Sequence, residues 1–309
     1  MNIGKTIFRC LICIIVAGGV VLLYSADRYL HKDSSTYPKV VVKSVSKPSG
    51  YDFITMQHDA IREGPLILVN NSNLYGFTEL NEMVNVSKYK NTFYKVSDNN
   101  QKLNAAVMEP LNRMMEDFNK SAGDSDIMIT SGYRSYDDQV SIYDNKVLNE
   151  GDNSAQWVAI PGGSEHHTGY AMDLGLYTSD GVSYSFTGDG IYSFILDNAY
   201  KYGFILRYPE NKIEITGIYY EPWHFRYVGH PHAYFMERKG MCMEEYVEHL
   251  KSFPFDKNHL YVSDFDGTEY EIYYVKAEEG PTKVPVPKNK EYVISGNNVD
   301  GFIVTVKSK

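Results

Sequence analysis

The stretch Ser164-Glu-His-His-Thr-Gly-Tyr-Ala-Met-Asp173 constrains this chain more than any other. It reads S-x-H-x-x-G-x-A-x-D and sets an imidazole, His166, seven residues ahead of a carboxylate, Asp173. Gly169 and Ala171 lie between them and let backbone pack close. A second cluster, Glu221-Pro-Trp-His224, supplies another imidazole. By itself a His-Asp pair also fits a plain hydrogen-bonded couple. Together, His166, Asp173 and His224 make three nitrogen and oxygen ligands for Zn2+. Three protein ligands and one open position is the arrangement of catalytic zinc, whereas structural sites are usually closed by four ligands, often Cys. Glu221, three residues before His224, is left free as a general base. The three cysteines do not compete for this role. Cys10 and Cys13 lie in an apolar N-terminal run, and Cys242 alone can form neither an intrachain disulfide nor a Cys-rich metal site.

The chain of 309 residues, 43% hydrophobic, is long enough for a catalytic domain and something smaller. A net charge of −9 without a basic stripe argues against nucleic acid as a partner. The 27 tyrosines fit strand packing and amphipathic surface, with a glycan-contacting surface as the alternative. Ile7 to Tyr24 is almost wholly apolar, with Lys5 and Arg9 near its start. Such a run just spans a bilayer. Cleavage after Ala26 would put bulky Tyr24 at the −3 position, so residues 1–26 are expected to remain as an uncleaved signal anchor. The basic flank puts the rest of the chain outside the cell, as a single-pass membrane protein. Residues 27–50 read as a polar tether with a strand-like run at Val40–Val42.

Residues 51–253 form the expected catalytic domain. Leu66–Asn70 is a buried-strand candidate, and Leu103, Val107, Leu111, Met114 and Phe118 recur at helical spacing, interrupted or kinked by Pro110. Asp126–Thr130 reads as a strand, and Ser135 with Asp138 as a capping box for a helix to about Asn149. Strands are expected at 170–176, 204–207, 215–220 and 225–228, and helices at 188–202, 232–239 and 243–251. After Pro254 the pattern turns to short strands, with Asp266-Gly267 as a hairpin turn and Pro281, Pro285 and Pro287 in a loop or edge. Residues 254–309 thus read as a small all-β appendage. The whole is α+β: a central, mostly antiparallel sheet flanked by helices, a zinc cleft at one edge, the β appendage and an N-terminal transmembrane helix.

Three blocks occur in one order: Ser131-Gly-Tyr-Arg-Ser-Tyr-Asp-Asp-Gln139, Ser164 to Asp173, and Glu221-Pro-Trp-His-Phe-Arg-Tyr227. With the segment Asn198 to Pro209 between the last two, the chain resembles the VanY/VanX-type zinc D-alanyl-D-alanine peptidases over roughly residues 50 to 240. The resemblance implies Zn2+ on His166, Asp173 and His224, and Glu221 as general base. It puts Arg134 at the position that steadies the developing oxyanion or clamps the carbonyl. It also implies that Gln139, Ser164, Tyr208 and Trp223 line the subsite for the substrate's free carboxylate and terminal methyl. The implied activity is a D,D-carboxypeptidase on peptidoglycan stem peptides ending in D-Ala-D-Ala, with a role in glycopeptide resistance. L,D-carboxypeptidase, dipeptidase and wall endopeptidase are the enzymatic alternatives, and a zinc-holding wall-binding protein without turnover is the non-enzymatic one. An export signal argues against the dipeptidase, whose substrate is cytoplasmic. His167 is expected to point away from the metal, and His230 and His232 to be surface residues.

Overall fold

The computed structural model describes residues 39–44, 50–77, 82–150 and 156–308. The anchor expected over residues 1–26 and most of the tether lie outside these. Among the described residues no helix is long and apolar enough to cross a membrane. Residues 38–309 form one compact unit.

In chain order the elements are β1 (Val40–Ser44), β2 (Tyr51–Met56), β3 (Met83–Asn85), α1 (Val86–Tyr89), β4 (Lys95–Val96), β5 (Lys102–Asn104), α2 (Ala105–Ala122), β6 (Ile127–Ser131) and α3 (Tyr136–Glu150). There follow β7 (Ala171–Tyr177), β8 (Ser183–Ser185), α4 (Ser193–Asn198), β9 (Phe204–Leu206), α5 (Ile213–Thr216), β10 (His224–Tyr227), α6 (His232–Lys239) and α7 (Met243–Leu250). The last are β11 (Asn258–Ser263), β12 (Glu269–Lys276), β13 (Thr282–Pro287), β14 (Tyr292–Gly296) and β15 (Gly301–Lys307).

The site is carried by a six-stranded sheet ordered β4-β6-β7-β10-β9, with β8 paired to β7. Only β4 and β6 run parallel; the other pairs are antiparallel, as expected. Helix α2 packs one apolar face on this sheet through Val107, Leu111, Met114 and Phe118, which meet Met172, Leu174, Phe204 and Phe225. Its cap is Asn104, whose side chain accepts the Ala106 N–H, and Gly123 ends it at φ 67°. Pro110 lies within the helix without interrupting it. Its missing N–H costs one bond, to the Ala106 carbonyl. Ser135 and Asp138 cap α3 reciprocally, as the sequence predicts.

Several expectations are corrected. The strand-like run expected at Val40–Val42 is borne out as β1, but it belongs to the fold rather than to a tether: it adds to β11 in antiparallel register, Val40 opposite Val262 through Ser44 opposite Asn258. Nor does the catalytic unit start cleanly at residue 51, because β2 pairs with β13. Of the loop or edge expected at Pro281, Pro285 and Pro287, residues 282–287 form the edge: a two-stranded pair leaves a side where proline needs no donor. Residues 254–309 are all-β, as expected, and share a core with the rest of the unit. One core joins Leu66, Ile205, Val228 and α6–α7 to Leu260, Ile272 and Ile303 of the C-terminal sheet. Residues 66–69 are buried but form no ladder strand, because the Arg226 guanidinium takes the Pro65 and Ile67 carbonyls and Ser295 Oγ takes the Leu66 N–H. The strand expected at 215–220 is displaced by α5, which Gly217 ends at φ 71°.

Because β1 is part of the folded unit, deleting residues 1–37 should leave thermal stability unchanged, whereas deleting 1–44 should lower the melting temperature by several degrees. The lost ladder and the uncovered apolar edge are together worth about 1–3 kcal/mol. Equal melting temperatures for the two truncations would show that β1 contributes nothing.

Candidate active site

The pairing of β7 with β10 builds the site. It sets Asp173 directly opposite His224, with Met172 opposite Phe225. The odd residues of β7 and even residues of β10 share one face, so two chemically competent side chains meet while the alternate apolar ones enter the core. His166 comes from a 3-10 turn at Glu165–Thr168 that Gly169 closes at φ 72°. A Cβ on Gly169 would lie 2.5 Å from Met83 Sδ and 3.2 Å from the Asn104 nitrogen, so the position needs glycine both for its dihedral and for its space.

The donor atoms of His166, Asp173 and His224 lie within 4.8 Å of one another. His166 Nε2 is 3.3 Å from Asp173 Oδ2, and His224 Nδ1 is 3.1 Å from Asp173 Oδ1. The two imidazoles stand edge to face at 4.9 Å. His166 Nδ1 donates to the Gly132 carbonyl at 2.6 Å, which directs its Nε2 lone pair inward. That Nε2 and Asp173 Oδ1 are buried without a hydrogen-bond partner. Orphaned buried atoms on one imidazole and a carboxylate, with His224 Nδ1 facing the same carboxylate, are what a divalent cation of borderline softness would satisfy, so the residues fit the implied metal. Burial, aided by Arg134, pulls His166 down to about 4, so it is neutral at pH 7. Burial also pulls on His224, but Asp173 and Glu165 outweigh it and hold the ring up at about 9. Burial opposes the charge of Asp173; His166, His224 and Arg134 more than offset this and keep it well below the usual carboxylate range. Glu221 lies in the loop before β10, with Oε2 3.6 Å from His224 Nδ1. Burial and then Asp173 push its carboxyl up to about 7, in the range where a carboxylate can both take and return a proton.

Arg134 reaches the same point from the segment between β6 and α3. Its Nη2 donates to Asp173 Oδ2 at 2.7 Å, its Nε to Ser131 Oγ at 2.9 Å, and its Nη1 to Gln139 Oε1 at 3.3 Å. Gln139 is fully buried and donates to the Ala159 carbonyl at 2.7 Å, so it holds Arg134 and the 159–160 backbone in place. Tyr208 is buried with its ring 4.9 Å from His224 and its carbonyl accepting the Glu221 N–H. Ser164 is buried immediately before the His166 turn. Trp223 packs half-buried against the α2 core, and its carbonyl accepts the Leu174 N–H. His167 does turn away, bonded to the Arg134 carbonyl and the Gly162 N–H. His230 is partly exposed and pairs with Asp264. His232 is not at the surface: it is buried between Tyr246 OH and Thr305 Oγ1.

A buried ionic network behind the donors is not evident in the sequence. Glu165 Oε1 accepts from Arg207 Nε at 2.8 Å and lies 2.8 Å from Arg226 Nη1, all with fully buried side chains. Arg207 then forks onto Glu244 at 2.7 and 3.0 Å, at the start of α7. Glu165 Oε2 faces His224 Nε2 at 3.8 Å. Burial disfavours the Glu165 carboxylate, but Arg207 and Arg226 keep it far below its ordinary range. The permanent anion favours a proton on His224 Nε2, which leaves Nδ1 for the metal side. The only sequence signal was a glutamate inside the histidine block.

The D-alanyl-D-alanine carboxypeptidase family model, VanY, matches residues 100–230. The chain is also 34% identical over 287 residues to a D-alanyl-D-alanine carboxypeptidase of Enterococcus faecium, covering 92% of this chain and 88% of that one. The chain belongs to the VanY family. Among solved structures, the vancomycin-resistance D,D-dipeptidase VanXYg, in complex with a D-Ala-D-Ala phosphinate analog, superposes with a TM-score of 0.73 at 36% identity, over 84% of this chain and 99% of that one. The LD-carboxypeptidase LdcB gives a TM-score of 0.52 at 33% identity, over 70% and 96%. The VanY match spans β5 to β10 and contains all three metal donors, Glu221 and Arg134.

Metal binding must expel the proton that His224 holds up to about 9, whereas His166 has none to give above pH 5. Zinc affinity should therefore rise about tenfold per pH unit between pH 7 and 8, with about one proton released per ion. Titration calorimetry in buffers of different ionisation enthalpy measures this; pH-independent affinity would contradict it.

Proposed function

We propose that this chain is a zinc-dependent D,D-carboxypeptidase that removes the terminal D-Ala from peptidoglycan stem peptides ending in D-Ala-D-Ala. The observation that carries this is the convergence of three metal donors with two groups a mere metal site does not need, Glu221 and Arg134. The name of the Enterococcus faecium relative and the D-Ala-D-Ala analog bound in VanXYg support the substrate class. The apolar run at residues 7–24 supports a membrane-held enzyme facing the wall, and loss of the terminal D-Ala would remove the target of glycopeptide antibiotics.

Zinc at His166, Asp173 and His224 would supply Lewis acidity and make water more acidic. Glu221, poised near neutrality by burial, takes the proton from the attacking water and returns it to the leaving amine. Arg134 keeps two guanidinium nitrogens on Asp173 and Gln139, at the edge of the donor set. From there a permanent cation offsets negative charge developing on the carbonyl oxygen. Glu165, through His224, and Gln139, through Arg134, hold these groups in register.

Glu221→Gln keeps size and shape but removes the base. Turnover should fall by about two to four orders of magnitude. Zinc content by mass spectrometry should stay close to that of the parent. Zinc loss in this variant would make Glu221 a ligand, and normal turnover would remove it from the mechanism.

A further inference from the structure

A cleft of about 760 Å3 lies apart from the metal donors: none of His166, Asp173, His224, Glu221 and Arg134 lines it. Its volume is that of a ligand site. Five tyrosines line it: Tyr170 just before β7 and Tyr227 at the end of β10, Tyr270 from β12, Tyr292 from β14, and Tyr75. The first two stack at 6.4 Å. The hydroxyls of Tyr227, Tyr270 and Tyr292 have no hydrogen-bond partner among the described residues and are not sealed from solvent. We propose that this cleft is a second binding site, for the glycan of the cell wall: an uncharged oligomer of N-acetylated amino sugars. The choice of a wall glycan rests on the wall-peptide activity proposed above.

Charge selects the ligand class. Arg62 and Lys307 line the cleft, and so do Glu63, Glu82 and Glu291. Cations and anions nearly cancel, so no field of one sign is present to attract a polyanion. Aromatic faces with open hydroxyls, interspersed with carboxylate acceptors, suit a ligand with alternating C–H faces and hydroxyl groups. A peptide adding as a strand is less well served. β14 is the outer strand of the five-stranded sheet, but the Glu63 carbonyl already takes the Gly296 N–H and Glu63 also meets Ser295 Oγ, so only a short run of its edge is open.

Position separates the two sites. Tyr170 and Tyr227 each lie three residues along the ladder from Asp173 and His224, so both tyrosines belong to the opposite face of the β7–β10 pair from the metal donors.

The test is titration of the full-length protein with a soluble N-acetylglucosamine tetramer, followed by calorimetry or ligand-observed NMR. This probe has no bond for the peptidase to cut, so binding is read independently of turnover. Saturable binding is expected, weakened about fivefold or more by Tyr292→Ala and by Tyr270→Phe, the worth of one lost contact of about 1 kcal/mol. D-Ala release from a free pentapeptide should stay unchanged in both variants. No saturable binding, or tetramer binding indifferent to both substitutions, would overturn the glycan assignment. So would a cleft that takes the pentapeptide and not the sugar. A protein that binds the tetramer through these tyrosines but releases no D-Ala would sink the peptidase proposal and leave the cleft standing.

Discussion

The antiparallel pairing of β7 with β10 is the constraint on which the site depends. It puts Asp173 and His224 on one face, directly opposite, before any metal is considered. A slip of one residue would send one of them into the core and bring Met172 or Phe225 out. The register is secured from the apolar side, where Met172, Leu174 and Phe225 join the core under α2. Folding and function are thus two sides of the same ladder.

Buried charge behind the site raises a question of cost. Glu165, Arg207 and Arg226 are all fully buried, and desolvation of such groups is repaid only where geometry and hydrogen bonding are good. Here that condition is met in part. Arg207 donates to Glu165 Oε1 and forks onto Glu244, and Arg226 bonds three backbone carbonyls, whereas Arg226 Nη1, 2.8 Å from Glu165 Oε1, and Glu165 Oε2 are buried without a hydrogen-bond partner among the described residues. These contacts tie the His166 turn to β9, β10, the 65–68 segment and α7. An apolar cluster of equal volume could hold the same elements together. It could not present an anion to His224 Nε2, and this is the physical reason to have a carboxylate there.

The clustering of His166, Asp173 and His224 was legible in the sequence because ligand chemistry is local: residue type and spacing survive without knowledge of burial. Helix α3 was legible for the same reason, since its capping box is spelled out by Ser135 and Asp138. The missed features depend on partners far away in the chain. Nothing near residues 40–44 announces β11 as a neighbour, and nothing near Pro285 and Pro287 announces β2. Leu66 to Asn70 has strand composition, but its backbone groups are taken by Arg226, Ser295 and Asn297. His232 reads as a surface residue in Gly-His-Pro-His, yet packing of α6 against α7 and β15 buries it. Arg207 and Arg226 could not be recognised as buried, because a charge without its partner in view looks solvated.

The most direct measurement is mass analysis of the products formed from a stem pentapeptide ending in D-Ala-D-Ala, with the protein metal-depleted and then reloaded with Zn2+. The predicted result is loss of a single D-Ala from the pentapeptide, no further trimming of the resulting tetrapeptide, no activity without metal and recovery on reloading. Trimming of the tetrapeptide, release of a dipeptide, or full activity of metal-free protein would contradict a zinc D,D-carboxypeptidase.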